Sequence, residues 1–184
     1  MSDDKTLIIN LCRNELHYFE FVKPIVDIVE KNLLKYEVVN IAHLSMEHLK
    51  SSSKIIICGT SLRDFDYENK DFSWIKSYNK PILGICAGFQ MICKIYGGKT
   101  KRKIGIGLKY IRLKKDFLGF KGKIQVYCLH NNIIVSGNDF HKKFITYGGS
   151  GYIQAIKMES KQIYATLFHP EVRNKKIIEN FLYI

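Results

Sequence analysis

A chain of 184 residues, 46% of them hydrophobic, can bury one substantial core, so we expect a single domain over residues 1–184. We find no basic leader segment and no apolar run near the ~18 residues that a membrane span needs, which argues against the secreted and membrane classes. Five cysteines without paired spacing argue against a disulfide framework, so we expect a cytoplasmic protein with no membrane partner.

The first half of the chain predicts strands that alternate with helices. Buried strands are predicted by three apolar runs, which are Thr6 to Cys12, Tyr36 to Ile41 and Lys54 to Cys58. Between the first two runs, apolar residues at helical spacing mark the inward face of a helix, namely Val22, Val26, Val29 and Leu33. Pro24 fits the first turn of that helix. Helix-forming residues between Asp71 and Tyr78 lead into a fourth strand.

The second half predicts short strands joined by turns. A basic loop, Lys99 to Lys103, comes first. The predicted strands are Ile106 to Leu113, Lys123 to Leu129, Asn132 to Val135, Phe144 to Tyr147 and Tyr152 to Lys157. They form an antiparallel meander before the chain returns to the main sheet at Ile163. A terminal helix from Arg173 to Ile184 follows, and its inward residues are Ile177, Ile178 and Phe181.

This order of elements predicts the α/β class, with a mainly parallel central sheet, helices on both faces and a small antiparallel meander. Catalytic groups of such sheets gather at the C-terminal ends of the strands. Gly59, Cys86 and His169 each follow a predicted strand. We therefore expect these three residues at one edge of the sheet.

Cys86 stands between a strand and a helix. The apolar run Pro81 to Ile85 precedes it, and apolar residues at helical spacing follow from Gly88. Glycines at both second neighbours, Gly84 and Gly88, allow the sharp turn from which a nucleophile projects. The helix N-terminus at that point favours a thiolate. Cys86 is therefore a candidate nucleophile.

A candidate base lies at the end of a later strand. The apolar run from Gln162 ends at His169, Pro170 forces an extended or turning backbone, and Glu171 follows. A cysteine nucleophile needs an imidazole to take and return its proton, and a carboxylate to orient that imidazole. His169 and Glu171 supply both groups.

Together, the two motifs resemble one family over nearly the whole chain. The segment Gly84 to Gln90, of the form Gly-x-Cys-x-Gly-x-Gln, and the segment Phe168 to Glu171 are similar to the class I glutamine amidotransferases, which carry a Cys-His-Glu triad. The resemblance implies a flavodoxin-like fold and glutaminase chemistry. Cys86 attacks the side-chain amide of L-glutamine, ammonia leaves, and water hydrolyses the glutamyl thioester. His169 is the general acid and base, and Glu171 orients it.

The resemblance also assigns binding residues. The backbone N–H groups of Gly59 and Ala87 would hold the developing oxyanion. Gln90 would contact the bound glutamine, and the turn at His130 and Asn131 would hold its amino-acid end. These residues complete the expected site.

Three positions depart from the family pattern. Gly59 is the one glycine left of the pair that the family carries in its oxyanion turn, Leu167 replaces a frequent glutamine, and no serine precedes His130. These departures bear on substrate affinity more than on the chemistry. The charged segment after the turn, Arg63 to Glu68, fits either a solvated loop or a partner surface.

The expected partner follows from the use of the product. Ammonia is useful only to a synthase, and the chain carries no phosphate loop or nucleotide fingerprint. The resemblance therefore implies an ATP-using synthase subunit in trans, with no cofactor in this chain and ATP and magnesium on the partner. The net charge of +12 would help to dock an acidic partner or would be ordinary solvation. Scattered basic residues predict no nucleic-acid partner, and histidines without ligand spacing predict no metal.

Within the family, the chain is most similar to the stand-alone glutaminase subunit of a two-subunit GMP synthase, which aminates xanthylate. The anthranilate and formylglycinamide ribonucleotide branches stay open. A γ-glutamyl hydrolase that acts alone and a non-catalytic regulatory relative also stay open. The glutaminase of a synthase is expected to be slow until its synthase binds, whereas a hydrolase would be fully active alone.

Overall fold

In the part of the chain that the computed structural model describes, residues 5–149 and 151–184, nine strands form one mixed sheet. Residues 1–4 and 150 of the predicted domain lie outside the described residues. The strands are β1 Lys5–Asn10, β2 Lys35–Asn40, β3 Lys54–Ile57, β4 Ile82–Ile85, β5 Lys99–Phe117, β6 Phe120–Val135, β7 Phe144–Gly149, β8 Tyr152–Met158 and β9 Ile163–Thr166. The helices are α1 Glu15–Phe21, α2 Lys23–Lys31, α3 Met46–Ser51, α4 Ala87–Ile95, α5 Asn138–His141 and α6 Lys176–Leu182.

The sheet has a parallel half and an antiparallel half. Its strand order is β2-β1-β3-β4-β9-β8-β7-β5-β6. The first five strands in this order pair in parallel, and β8, β7, β5 and β6 continue the sheet by antiparallel pairs. The C-terminal ends of the parallel strands therefore meet at one edge, as the α/β pattern predicts.

Helices cover both faces of the parallel half. Successive residues of a strand point to opposite faces, and Leu7, Ile8 and Ile9 of β1 are all fully buried. Ile8 belongs to the core under α1, α2 and α6, whereas Leu7 and Ile9 belong to the core under α3, α4 and α5. This arrangement is the predicted three-layer architecture.

The antiparallel half is larger than the predicted small meander. The predicted basic loop Lys99 to Lys103 is the start of β5, and the predicted strands at 123–129 and 132–135 form one strand, β6. The two strands pair over most of their length as a hairpin, with a register shift between Arg102 and Gly105. The short-strand prediction was wrong here, because glycines and polar residues within β5 and β6 were interpreted as turns.

Three helical predictions need a correction or a change of bounds. Leu33 was expected on the inward face, but it lies beyond α2, is 93% exposed and has a φ of +56°. Between Asp71 and Tyr78 the chain forms only a 3₁₀ turn, Ser73–Lys76. The terminal helix is shorter than predicted, although its three expected inward residues are all fully buried. Among the described residues, no helix is long and apolar enough to cross a membrane.

Candidate active site

The cysteine lies at a sharp change of backbone direction. Cys86 directly follows β4 and precedes α4, and its φ and ψ are +50° and −96°. A residue with a Cβ rarely adopts a positive φ, and a nucleophile elbow requires such a strained turn. A Cβ on Gly84 would lie 2.8 Å from the Gly88 carbonyl carbon, and a Cβ on Gly88 would lie 2.5 Å from the Ile57 carbonyl oxygen. Only glycine fits at these two positions.

The histidine reaches the cysteine from the neighbouring strand. β9 pairs in parallel with β4, so Thr166 at the end of β9 lies opposite Ile85. The Cys86 N–H donates to the Thr166 carbonyl at 2.7 Å, and the His169 N–H donates to the Tyr127 carbonyl at 2.8 Å. These backbone hydrogen bonds hold both side chains at the same edge of the sheet.

Cys86, His169 and Glu171 form one chain of contacts. His169 Nδ1 lies 2.6 Å from Glu171 Oε1, and the imidazole is hydrogen-bonded to the Cys86 thiol. The Leu129 carbonyl oxygen lies 3.4 Å from Cys86 Sγ and 3.3 Å from His169 Nε2. His169 and Glu171 are each 1% exposed, so water screens their interaction very little.

The charges around His169 favour its protonated form. Burial by itself lowers the pKa of the imidazole, but the Glu171 carboxylate and Cys86 outweigh burial and raise the pKa well above 6.5. In the imidazolium, Nδ1–H donates to Glu171, and Nε2–H faces the Leu129 carbonyl and the cysteine sulfur. The pair is therefore arranged to exchange a proton between sulfur and imidazole.

The other four cysteines lack this environment. Burial raises the pKa of Cys12 to about 11 and raises the pKa values of Cys58, Cys93 and Cys128. Their thiols stay protonated at neutral pH and are poor nucleophiles. All five cysteines are buried with free thiols.

The expected oxyanion turn lies against the catalytic pair. A Cβ added to Gly59 would lie 2.8 Å from His169 Cε1 and 3.4 Å from Cys86 Cβ. Ala87, the other expected donor, is the first residue of α4, where backbone N–H groups have no partner within the helix. The Gly59 carbonyl accepts a long contact from Cys12 Sγ at 4.0 Å.

A buried carboxylate holds this turn in place. Asp64 is 4% exposed, and its Oδ2 accepts hydrogen bonds from Thr60 Oγ1 at 2.8 Å and from the Arg13 N–H at 3.2 Å. His17 Nδ1 lies 2.7 Å from the same oxygen. Burial opposes ionisation of Asp64, but these hydrogen bonds outweigh it and lower the pKa of the carboxyl. Thr60 stands where the family pattern has its second glycine, and its hydroxyl ties the turn to Asp64.

The three expected substrate-binding residues line one cleft with Cys86, namely Gln90, His130 and Asn131. Gln90 is 4% exposed, and its Oε1 has no hydrogen-bond partner among the described residues. His130 Nε2 lies 3.4 Å from the Tyr152 hydroxyl. Burial, together with the charge of Lys109, lowers the pKa of His130 to about 4, so its imidazole is neutral at physiological pH.

The cleft is closed in this structure. Its volume is about 20 Å³, which is room for about one water molecule and far too little for glutamine. Asn131 Nδ2 donates to the Leu62 carbonyl at 2.8 Å, and this bond joins β6 to the oxyanion turn across the cleft. Asn131 therefore has a closing contact where a substrate contact was expected.

The whole arrangement matches a described family. The family model "Glutamine amidotransferase class-I" matches residues 17–183. The chain belongs to this family. Within the described ranges, no group of three or more His, Cys, Asp or Glu side chains is arranged to hold a metal ion.

Similar amidotransferases come from archaea. The glutamine-hydrolyzing subunit of GMP synthase from Methanococcus aeolicus is 30% identical over 166 residues, covering 76% of this chain and 87% of that protein. Its counterpart in Methanobrevibacter smithii is 27% identical over 148 residues, covering 75% and 77%. The structure of a candidate GMP synthase subunit from Thermoplasma acidophilum superposes with a TM-score of 0.83 at 21% identity, covering 98% of this chain and 92% of that chain. The superposition confirms the predicted fold.

Sequence reasoning missed two parts of this amidotransferase site. Asp64 was assigned to a solvated loop or a partner surface, but it is buried behind the oxyanion turn. Its partner His17 lies 47 residues earlier, and no local motif joins the two. The Leu129 carbonyl is a backbone group, so no residue type signals it. Thr60 was the one available clue, since a threonine in a glycine turn suggests a bonded hydroxyl.

Proposed function

We propose that this chain is the glutaminase subunit of a two-subunit GMP synthase and passes ammonia to an ATP-using partner that aminates xanthylate. The observation that carries the proposal is the buried Cys86, His169 and Glu171 contact at the edge of the sheet. Relatives named as glutamine-hydrolyzing GMP synthase subunits support the choice of synthase. Glutamine as substrate follows from the family.

In the proposed reaction, Cys86 transfers its proton to His169 Nε2, and the thiolate attacks the side-chain amide carbon of glutamine. The backbone N–H groups of Gly59 and Ala87 stabilise the oxyanion of the tetrahedral intermediate. His169 gives the proton to the leaving nitrogen, so the C–N bond breaks, ammonia departs and a glutamyl thioester remains on Cys86. A water molecule, deprotonated by His169, hydrolyses the thioester to glutamate.

Two side chains are suited to recognise the substrate. The unpartnered Oε1 of Gln90 is an acceptor, and an N–H donor of glutamine would satisfy it. Neutral His130 adds a polar ring without a charge that would repel the substrate's ammonium group. Substrate binding would therefore satisfy a polar group that is costly to leave unpaired.

A partner is also needed to explain the closed cleft. Glutamine cannot enter while Asn131 is bonded to the Leu62 carbonyl, so we expect slow turnover by the isolated chain. Binding of the synthase would favour an open state in which β6 and the oxyanion turn separate. We expect ATP and magnesium on that partner and no cofactor in this chain.

The test is glutamine hydrolysis by the purified chain, with and without the ATP-using GMP synthase subunit of the same genome. We expect slow hydrolysis by the chain alone, a clear rise with the partner, and no hydrolysis by Cys86→Ala in either case. Formation of GMP from xanthylate, ATP and glutamine identifies the synthase. Full activity of the isolated chain would instead indicate a hydrolase that acts alone.

A further inference from the structure

The hairpin of β5 and β6 exposes an apolar stripe. Every second residue from Ile104 to Tyr110 points away from the core, and these side chains are 55–58% exposed. The four stripe residues are Ile104, Ile106, Leu108 and Tyr110. Isolated apolar residues on a surface are common, but a contiguous row of four large ones is typical of a binding surface.

The same hairpin concentrates the positive charge of the chain. Residues 99–135 contain ten lysines and arginines and one acidic residue, Asp116, so they carry +9 of the net charge of +12. Lys123 lies over the Tyr110 ring, with Nζ 4.5 Å from the ring centroid. The stripe is thus an apolar row rimmed by cations, and its complement is an apolar surface with an acidic rim.

The stripe is one strand pair away from the reacting groups. Ile106 pairs with Leu129, whose carbonyl contacts both Cys86 and His169. Gly105 pairs with His130, and a Cβ at Gly105 would lie 2.3 Å from His130 Nε2. A protein bound to the stripe would therefore press on the segment of β6 that lines the cleft and holds it closed.

We propose that the stripe Ile104 to Tyr110 is the docking surface for the ATP-using synthase subunit, which contacts it through an apolar patch with an acidic rim. This inference rests on the proposed function. Self-association through the stripe is disfavoured, because it would bring two hairpins of +9 together. Single-stranded nucleic acid is disfavoured, because three of the four stripe side chains are aliphatic and Lys123 lies over the one aromatic ring.

The test compares matched variants in binding to the GMP synthase ATP-using subunit of the same genome. Ile106→Ser/Leu108→Ser removes apolar surface and adds no charge. Met46→Ser is the control, because Met46 is equally exposed, at 59%, and opens α3, which leads to the opposite edge of the sheet. We expect the double variant to bind about tenfold more weakly or worse, the control to bind normally, and both to keep wild-type thermal unfolding.

A charge pair of variants tests the rim. Lys101→Glu should weaken binding and reduce its dependence on salt, whereas Lys31→Glu at the end of α2 should leave both unchanged. Synthase binding by the Ile106→Ser/Leu108→Ser variant that equals wild type would overturn the docking surface, and synthase-stimulated hydrolysis would still support the proposed function. Failure of the wild-type chain to bind the synthase would overturn both the occupant and the GMP synthase assignment.

Two further outcomes would also overturn the inference. One is a wild-type dimer that the Ile106→Ser/Leu108→Ser variant abolishes. The other is binding of single-stranded RNA or anionic vesicles that the same variant abolishes while synthase binding is unchanged. In either case Cys86-dependent hydrolysis of glutamine would separately decide whether the glutaminase assignment holds.

Discussion

The carboxylate of Glu171 determines the charge of the imidazole beside the cysteine. It is buried, it lies 2.6 Å from His169 Nδ1, and with Cys86 it overcomes the effect of burial on the pKa of His169. A neutral group at position 171 would hold the ring by a hydrogen bond but would not stabilise its positive charge. Orientation and charge can therefore be separated by one substitution.

Glu171→Gln should lower glutamine hydrolysis about 10²–10⁴-fold, because the imidazolium formed in the reaction loses its counter-charge. Stability should respond as well. Wild-type His169 keeps its proton at pH values above 6.5, where the unfolded chain releases it, so the free energy of unfolding falls as pH rises above 6.5. Denaturation from pH 6 to 9 should show a smaller fall in Glu171→Gln. Exposed Glu159→Gln is the control, and an equal fall in both variants would contradict the raised pKa.

Gly59→Ala tests how closely the oxyanion turn approaches the catalytic pair. The added methyl would lie 2.8 Å from His169 Cε1, so either the ring or the turn must move. We expect at least about a hundredfold loss of synthase-stimulated hydrolysis, comparable to removal of an oxyanion donor. Gly137→Ala is the control, since its methyl meets no atom within 4 Å. Normal activity of Gly59→Ala would show that the turn lies elsewhere during catalysis.

At this scale, sequence motifs predicted the reacting residues and missed their supports. Cys86, His169 and Glu171 are recognisable because each stands next to a strand end within a short pattern. Asp64 and its partner His17 are 47 residues apart, so only the folded chain reveals their contact. Roles that depend on long-range packing leave no local signal.

Helix α2 shows how an element boundary departs from its sequence pattern. Apolar spacing continues to Leu33, but α2 ends at Lys31 and Leu33 takes a left-handed conformation with a φ of +56°. The Leu34 N–H donates to the Val29 carbonyl at 3.3 Å, which is the bond of a left-handed helix cap. Glycine is the usual residue at such a cap, so the pattern with leucine gave no sign of the end.

Leu33→Gly should stabilise the fold by up to about 1 kcal/mol, because glycine adopts a positive φ without strain. The side chain lost is 93% exposed and contributes little packing. Chemical denaturation measures the change. Leu16→Gly, within α1 and 78% exposed, is the control and should destabilise by about 1 kcal/mol. A destabilised Leu33→Gly variant would contradict the strained cap.

The β5 and β6 hairpin departs furthest from its predicted form. Glycines within β5 indicated turns, yet β5 runs 19 residues, with Gly107 at a φ of +87° inside the strand. Cross-strand pairing with β6 outweighs the local preference of these residues. The central strands were predicted within one or two residues, because their uniformly apolar runs leave little choice of structure.

At the scale of the whole molecule, the parallel half supplies chemistry and the antiparallel half controls access to it. Cys86 and His169 come from the ends of neighbouring strands β4 and β9. Asn131 on β6 closes the cleft over them and belongs to the hairpin with most of the positive charge. A synthase bound to this hairpin would couple docking to opening, so that ammonia is released only when a consumer is present.

The most direct test of the central claim is mass spectrometry of the chain, quenched with acid during glutamine turnover in the presence of the synthase subunit. We expect one glutamyl group on the peptide that carries Cys86 and none on the peptides of Cys12, Cys58, Cys93 or Cys128. The adduct should be absent from Cys86→Ala and from samples without glutamine. Formation of glutamate by a chain whose adduct lies on another cysteine, or whose Cys86→Ala variant turns over normally, would contradict the account.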